Sequence, residues 1–249
     1  MNLFKFSNKH KKSEPAQGEN ISCEKNASHA RTDSFFDSLL NLGFNPTHIV
    51  DIGANRGNWT RTSLKYFPDS YYSLFEPQEK MRQEVSDLTQ NPRIKFYALG
   101  VGPKNSSMKL TEHQRDDSFT FALDENQALS LGRNQIEVPV VSLDDFLLKN
   151  GLPKVDILKI DAEGWDLEVL KGAESTVQTA EIVLMEAAVM NKLFKNKVYD
   201  VIFEMKKRGF VLFDITDLNR TARDNALWLV ELAFVKSGGE IDGSINSFV

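Results

Sequence analysis

Apolar and polar positions change period several times along the chain, and each change marks an element. Thr47-His-Ile-Val-Asp-Ile52 is a short apolar run that ends in a turn carrying Gly53 and Gly57. Residues 58–67 then place Thr60, Leu64 and Phe67 on one helical side before Pro68 stops them. A second apolar run, Tyr71-Tyr-Ser-Leu-Phe75, ends on Glu76, and Met81, Val85 and Leu88 fall at helical spacing within residues 79–88. Residues 94–98 read as a third strand. This alternation predicts a parallel sheet with helices on both faces.

The rhythm breaks between residues 100 and 141. No helical period is legible there, and short strands are expected at 108–112, 118–123 and 136–141 with polar loops between them. The segment carries Asp116, Asp117, Ser118 and His113, and an irregular β insertion of this kind suits the acceptor side of a site. Ser142 then offers a capping-box start to a helix ending at Gly151. The apolar run Val155-Asp-Ile-Leu-Lys-Ile160 delivers Lys159, Asp161 and Glu163 to a strand end, where Gly164 turns the chain into a helix carrying Leu167, Leu170 and Ala173. Val198, Val201, Ile202 and Met205 form one more helical face, followed by strands at 210–214 and 228–235.

Two segments lie outside this pattern. Residues 1–31 are polar and aperiodic, and read as a disordered arm in which Lys9 to Lys12 behind Leu3, Phe4 and Phe6 suggest at most a weak membrane contact. Order is expected to begin at Thr32–Ser34, which would cap a helix with Phe36, Leu39 and Leu40 on one face and a stop at Gly43. Residues 237–249 read as a frayed tail, leaving 32–236 as the folded domain.

Composition narrows the function. The 249 residues are 41% hydrophobic, enough for one α/β domain. A net charge of −5 disfavours nucleic acid and anionic membranes as partners. One cysteine, Cys23, excludes an internal disulfide and a cysteine metal cluster. No apolar run approaches the ~18 residues of a membrane span, so a cytoplasmic protein is expected.

The candidate chemistry sits at the strand ends. A carboxylate at the end of the second strand, Glu76, suits the two hydroxyls of a ribose. The first turn lacks the G-x-G-x-x-G spacing of a dinucleotide fingerprint, and Asp51 would repel a pyrophosphate. It would instead suit a cationic ligand such as S-adenosylmethionine. An NAD-dependent oxidoreductase and a nucleoside-binding module without turnover stand as the alternatives. Asp161 and Glu163 are placed as a general base or as oxygen ligands of a divalent metal; capping of the next helix is the structural alternative.

Taken together, Asp51-Ile-Gly-Ala-Asn-Arg-Gly57, Phe75-Glu-Pro77, Val138-Pro-Val-Val-Ser-Leu-Asp-Asp145, Leu158-Lys-Ile-Asp-Ala-Glu-Gly164 and Val169-Leu-Lys-Gly172 resemble the FkbM-type S-adenosylmethionine-dependent methyltransferases. The resemblance covers roughly residues 47–235. It implies a Rossmann-like seven-stranded class I methyltransferase sheet, mostly parallel with an antiparallel last strand, and O-methylation of a sugar or other small metabolite. The implied cofactor positions are Asp51, Gly53, Asn55 and Glu76, with Ala54, Gly57, Pro77 and Ala98 beside them. The implied catalytic positions are Lys159, Asp161 and Glu163. Glu186 matches a further strand-end acid and joins Asp161 and Glu163 as a metal candidate. Residues 103–135 follow no pattern of the family.

Overall fold

The computed structural model describes residues 30–112, 119–121 and 123–245. The arm expected at 1–31 falls outside them up to residue 29, as do His113, Asp116, Asp117 and Ser118. Among the described residues, no helix is long and apolar enough to cross a membrane.

The chain enters through α1 (residues 30–41), followed by β1 (His48–Ile52), α2 (Asn58–Tyr66), β2 (Tyr71–Phe75), α3 (Met81–Glu84) and β3 (Ile94–Tyr97). Next come β4 (Gly100–Val101), β5 (Ser106–Glu112), β6 (Phe119–Thr120), α4 (Glu125–Ser130) and β7 (Gln135–Val141). The remainder is α5 (Leu143–Lys149), β8 (Ile157–Ile160), α6 (Asp166–Lys171), α7 (Glu174–Thr179), β9 (Ile182–Ala188), α8 (Val198–Lys207), β10 (Phe210–Arg220), β11 (Leu227–Lys236) and α9 (Glu240–Ser244).

Seven strands form one sheet in the order β10-β11-β9-β8-β1-β2-β3, parallel except for β11, which runs antiparallel to both β9 and β10. Its order reverses at β1, which pairs with β2 on one side and β8 on the other. That reversal opens a crevice at the strand ends, where ligands bind in α/β sheets. Alternate residues of each strand feed two cores. Ile49, Ile157, Leu184 and Ala233 face α1 and α2, and meet Phe35, Phe36 and Phe67. Val50, Leu158, Val183 and Leu232 face the other way, against Leu143, Leu170, Val177 and Met205 of α5 to α8. The continuous apolar runs of β1, β8 and β9 follow from this burial on both faces.

Several expectations need correction. Helix α1 already includes residue 30, so Thr32 lies inside it, buried, and donates through Oγ1 to the Thr216 carbonyl. The helix expected at 79–88 is broken into α3 and a 3₁₀ turn at Leu88–Gln90. The Glu84 carbonyl accepts from the Arg61 guanidinium, which also binds Asp87, although Met81, Val85 and Leu88 are buried as their spacing requires. The described residues between 100 and 141 form a second sheet, β4-β7-β5-β6, and they do contain a helix. Helix α4 starts on a reciprocal capping box between Asp124 and Gln127, a signal carried by side-chain chemistry rather than by period. Strand β10 runs on to Arg220 through register shifts after Leu212 and Ile215, so polar residues expected in a loop are part of the sheet. The tail is not frayed as far as residue 244: Ile241 of α9 is fully buried and its N–H donates to Glu181.

Candidate functional site

The turn after β1 is shaped by its contact with β8. Gly53 has φ +76°, and a Cβ built on it would stand 1.8 Å from the Asp161 carbonyl oxygen. Glycine there answers the close approach of two strand ends as much as that of a ligand. The Gly53 and Ala54 N–H groups both donate to the Phe75 carbonyl, which ties the turn to β2. Asn55 follows with φ 47°, and Gly57, with φ 72°, caps α2.

Glu76 continues β2 beside this turn and is buried. Its Oε2 accepts from the Asn55 N–H at 3.1 Å and its Oε1 from the Gln78 N–H at 3.1 Å. Burial pushes its pKa up, these backbone donors pull it down, and the charge of Asp161 adds to the rise. The carboxylate is thereby held in one orientation at the edge of the crevice.

Across the turn, β8 brings up Lys159. It is 3% exposed, with its ammonium 3.1 Å from Asp161 Oδ2 and 3.5 Å from Asp51 Oδ1. Burial alone would lower its pKa, but the charges of Asp161, Asp51 and Glu231 overcome that and hold the ammonium above its ordinary value. The Trp59 ring lies 5.8 Å from the same ammonium. Asp51 has no exposure and accepts from Thr60 Oγ1 at 2.6 Å.

These elements surround a cavity of about 550 Å³. Gly53, Ala54, Asn55, Glu76 and Pro77 line its middle, opposite Lys159, Asp161 and Glu163. One end is apolar, with Leu99, Val101, Leu110, Phe119 and Phe121 drawn from β4 and the second sheet. The other end is polar, with Thr32 of α1, Trp59 and Thr62 of α2, and Asp217, Asn219 and Glu231 of the β10–β11 hairpin.

Three expected cofactor positions do not line this space. Asp51 lies beneath it, bonded to Lys159 and Thr60. Gly57 faces the side chains of Leu88 and Val85. Ala98 packs on the α1–α2 core, and its neighbour Leu99 reaches the cavity instead.

The strand-end acids also divide their roles differently from expectation. Neither Asp161 nor Glu163 is seen to cap the next helix. No side chain caps α6; the buried Asp166, its first residue, instead ties the preceding turn, accepting from the N–H groups of Ala162 and Gly164 and from Asn196 Nδ2. Burial, then the charge of Asp161, pushes Asp166 up to about 7. Glu163 sits at φ 50°, its carbonyl taken by Thr120 Oγ1 of β6 at 2.6 Å. Glu186 is almost fully buried, and its pKa is pushed up first by burial and then by Asp161, Glu163 and Asp166. As a metal site the three candidates do not fit: among the described residues, no group of three or more His, Cys, Asp or Glu side chains converges to hold an ion.

Sequence reasoning missed the hairpin's contribution. Glu231 interrupts the apolar run Trp228-Leu-Val-Glu-Leu-Ala-Phe-Val235, and a charge at such a position was the available signal. Its Oε1 accepts from Thr216 Oγ1 at 2.5 Å. Burial pushes it up to about 7 against the opposing pull of Lys159 and Thr216.

Comparison with known proteins follows the same geometry. Residues 51–212 match the model described as the methyltransferase FkbM domain. The chain is 29% identical over 144 residues to Methyltransferase 1 of Beauveria bassiana (strain ARSEF 2860), covering 51% of this chain and 58% of that protein. It is 26% identical over 156 residues to the 2-O-methyltransferase NoeI of Sinorhizobium fredii (strain NBRC 101917 / NGR234), covering 55% and 62%. The chain thus spans less than two thirds of the length of either relative. Among solved structures, magnesium protoporphyrin IX methyltransferase (ChlM) from Synechocystis PCC 6803 with bound SAM aligns at a TM-score of 0.52 and 11% identity, over 92% of this chain and 87% of that one. That likeness is one of fold, and the fold is the class I methyltransferase sheet.

Proposed function

The chain belongs to the methyltransferase FkbM domain family, and from that premise we propose that it moves the methyl group of S-adenosylmethionine to a hydroxyl oxygen of a sugar, glycan precursor or other small metabolite. The observation that carries the reading is the pairing of Glu76, held by two backbone N–H groups, with the Gly53–Asn55 turn on one wall of a single cavity. A fixed, buried carboxylate of this kind suits the two hydroxyls of a ribose. The apolar end formed by Leu99, Leu110 and Phe119 suits the adenine, and the polar end then falls to the amino-acid part and the acceptor.

S-adenosylmethionine supplies an electrophilic methyl carbon on a sulfonium. The residues of this chain align the acceptor oxygen with that carbon and exclude water, which lowers the barrier mainly through orientation. A carboxylate suits the role of taking the acceptor proton, and Asp161, Glu163 and Glu231 all line the cavity. The 2-O-methyltransferase named above supports oxygen as the atom methylated.

The test is calorimetric titration with S-adenosylmethionine and with NAD, followed by incubation with labelled S-adenosylmethionine and a panel of methyl glycosides. Saturable binding of S-adenosylmethionine and label in a methyl ether are expected. Binding of NAD in its place would overturn the reading.

A further inference from the structure

Asp161, Glu163 and Glu231 all line the cavity, and their geometry distinguishes them as proton acceptors. Asp161 spends one oxygen on the Lys159 ammonium at 3.1 Å. Glu163 follows that bonded strand end in a left-handed backbone conformation, its carbonyl held by β6. Lys159 is itself surrounded by acids and keeps its proton. Glu231, like Asp161, has one oxygen engaged, but its partner is a neutral hydroxyl rather than a cation. It rises from β11 into the polar end of the cavity, beside Asp217 and Asn219, and its Oε1 is fixed by Thr216. Among the described residues it forms no ion pair within 4 Å, because Lys159 is taken by Asp161 and Asp51.

Resting on the methyl-transfer reading, we infer that Glu231 is the general base, and that the acceptor hydroxyl lies at the hairpin end of the cavity. An acceptor oxygen forms its bond to the methyl carbon as the carbon–sulfur bond breaks. The proton of the hydroxyl passes to Glu231, the sulfonium becomes a neutral thioether, and the electron pair of the broken bond stays on sulfur. The same end of the cavity bounds the acceptor class. Asp217 and Glu231 line it together with Asn219 and the Trp59 ring, and Asp161 lies in the middle of the same cavity. An acceptor bearing phosphate or carboxylate near the methylated hydroxyl would meet this acidic wall, whereas a neutral polyhydroxyl compound offers hydroxyls to the acids and a flat C–H face to the indole.

The groups facing Glu231 set its titration. They are Lys159 and Asp161 from β8, Thr216 and Asp217 from β10, Glu186 as its register partner on β9, and Arg31 of α1, which pairs with Asp217 at 3.7 Å. A base that lies near neutrality in the folded protein ionises within the working range, as proton removal requires.

The experiment uses the full chain, labelled S-adenosylmethionine and neutral methyl glycosides. Glu231→Gln should lower kcat by about 10²–10⁴-fold while S-adenosylmethionine affinity stays near that of the parent. Thr216→Val removes the hydrogen bond that favours the ionised carboxylate. It should move the acidic limb of the kcat profile, expected near pH 7 in the parent, to higher pH. An unchanged kcat and pH profile in both variants overturns the assignment, as does equal loss of cofactor affinity and turnover in Glu231→Gln. If Glu231→Gln does not fold, an unmoved limb in Thr216→Val overturns it alone. A parent that binds S-adenosylmethionine but methylates no neutral glycoside overturns the acceptor class, and one that binds none overturns the methyl-transfer reading beneath it.

Discussion

The ammonium of Lys159 stands 3.5 Å from Asp51 Oδ1, and the two residues are register partners on adjacent parallel strands. An acid at the end of β1 and a lysine in β8, read separately as site chemistry, are one buried ion pair that joins the two central strands at the cavity floor.

Breaking this pair should be costly. Lys159→Met leaves the Asp51 carboxylate at zero exposure without its cation, and removing one member of a buried pair costs about 3–5 kcal/mol. Urea denaturation of parent and variant measures the difference. Equal midpoints would mean that the pair adds no net stability.

Gly53→Ala tests the contact between the β1 turn and β8. The added Cβ would meet the Asp161 carbonyl at 1.8 Å in a backbone conformation of φ +76°. Both strand ends must move, so a loss of about 2–4 kcal/mol is expected, together with weaker S-adenosylmethionine binding. A variant that melts with the parent and binds as tightly would show that the turn can relax.

Glu76→Ala examines the ribose site. Charge-assisted hydrogen bonds contribute about 1.5–3 kcal/mol each, so affinity should fall roughly 10- to 10³-fold. S-adenosylmethionine and S-adenosylhomocysteine should weaken alike, because both carry the same ribose. Titration of both ligands into the variant checks this, and a penalty confined to the sulfonium form would relocate Glu76 to the methionine end.

Stability should fall as pH rises from about 5 to about 8. Asp166 and Glu231 are pushed up to about 7 in the folded protein, above ordinary carboxylates near 4. The folded state therefore binds more protons than the unfolded state across that window. This contribution is complete below the unfolded value and is lost as pH passes through the folded one, at up to about 1.4 kcal/mol per pH unit per group. His48, lowered by burial, acts in the opposite sense within this window, and Glu204, lowered by its hydrogen bond to Arg208, does so only in more acidic solution. Melting curves between pH 5 and 8 would measure the slope, and Asp166→Asn should flatten it. A melting temperature that climbs with pH in the parent would contradict this balance.

The sheet was legible because its strands are buried on both faces and its helices carry an apolar period. β2 spans the five residues of its apolar run, and β1, β3 and β8 fall within theirs. Elements ordered by other physics were harder to see. Helix α4 depends on Asp124 and Gln127 capping each other, α3 stops where Arg61 takes a carbonyl, and α9 docks through one isoleucine. At the site, motif residues from β1, β2 and β8 converge on one cavity because neighbouring strands end together. Thr32 and Asp217 were not legible, since their place depends on tertiary packing of α1 and the hairpin, and for Glu231 the only local sign is a charge inside an apolar run.

Strand β11 is made after every other strand, yet it sits inside the sheet between β9 and β10. A nascent chain that has emerged only through β9 therefore presents Ile182-Val-Leu-Met-Glu-Ala-Ala188, fully buried in the finished protein, as an open edge. Such an edge invites pairing with other chains until the hairpin closes it. The same late strand brings Glu231, so the polar end of the cavity comes into being only when the edge is sealed. Ribosome-bound intermediates of this protein would be both prone to stick and unable to complete the ligand pocket, and the two defects would vanish in one step of synthesis.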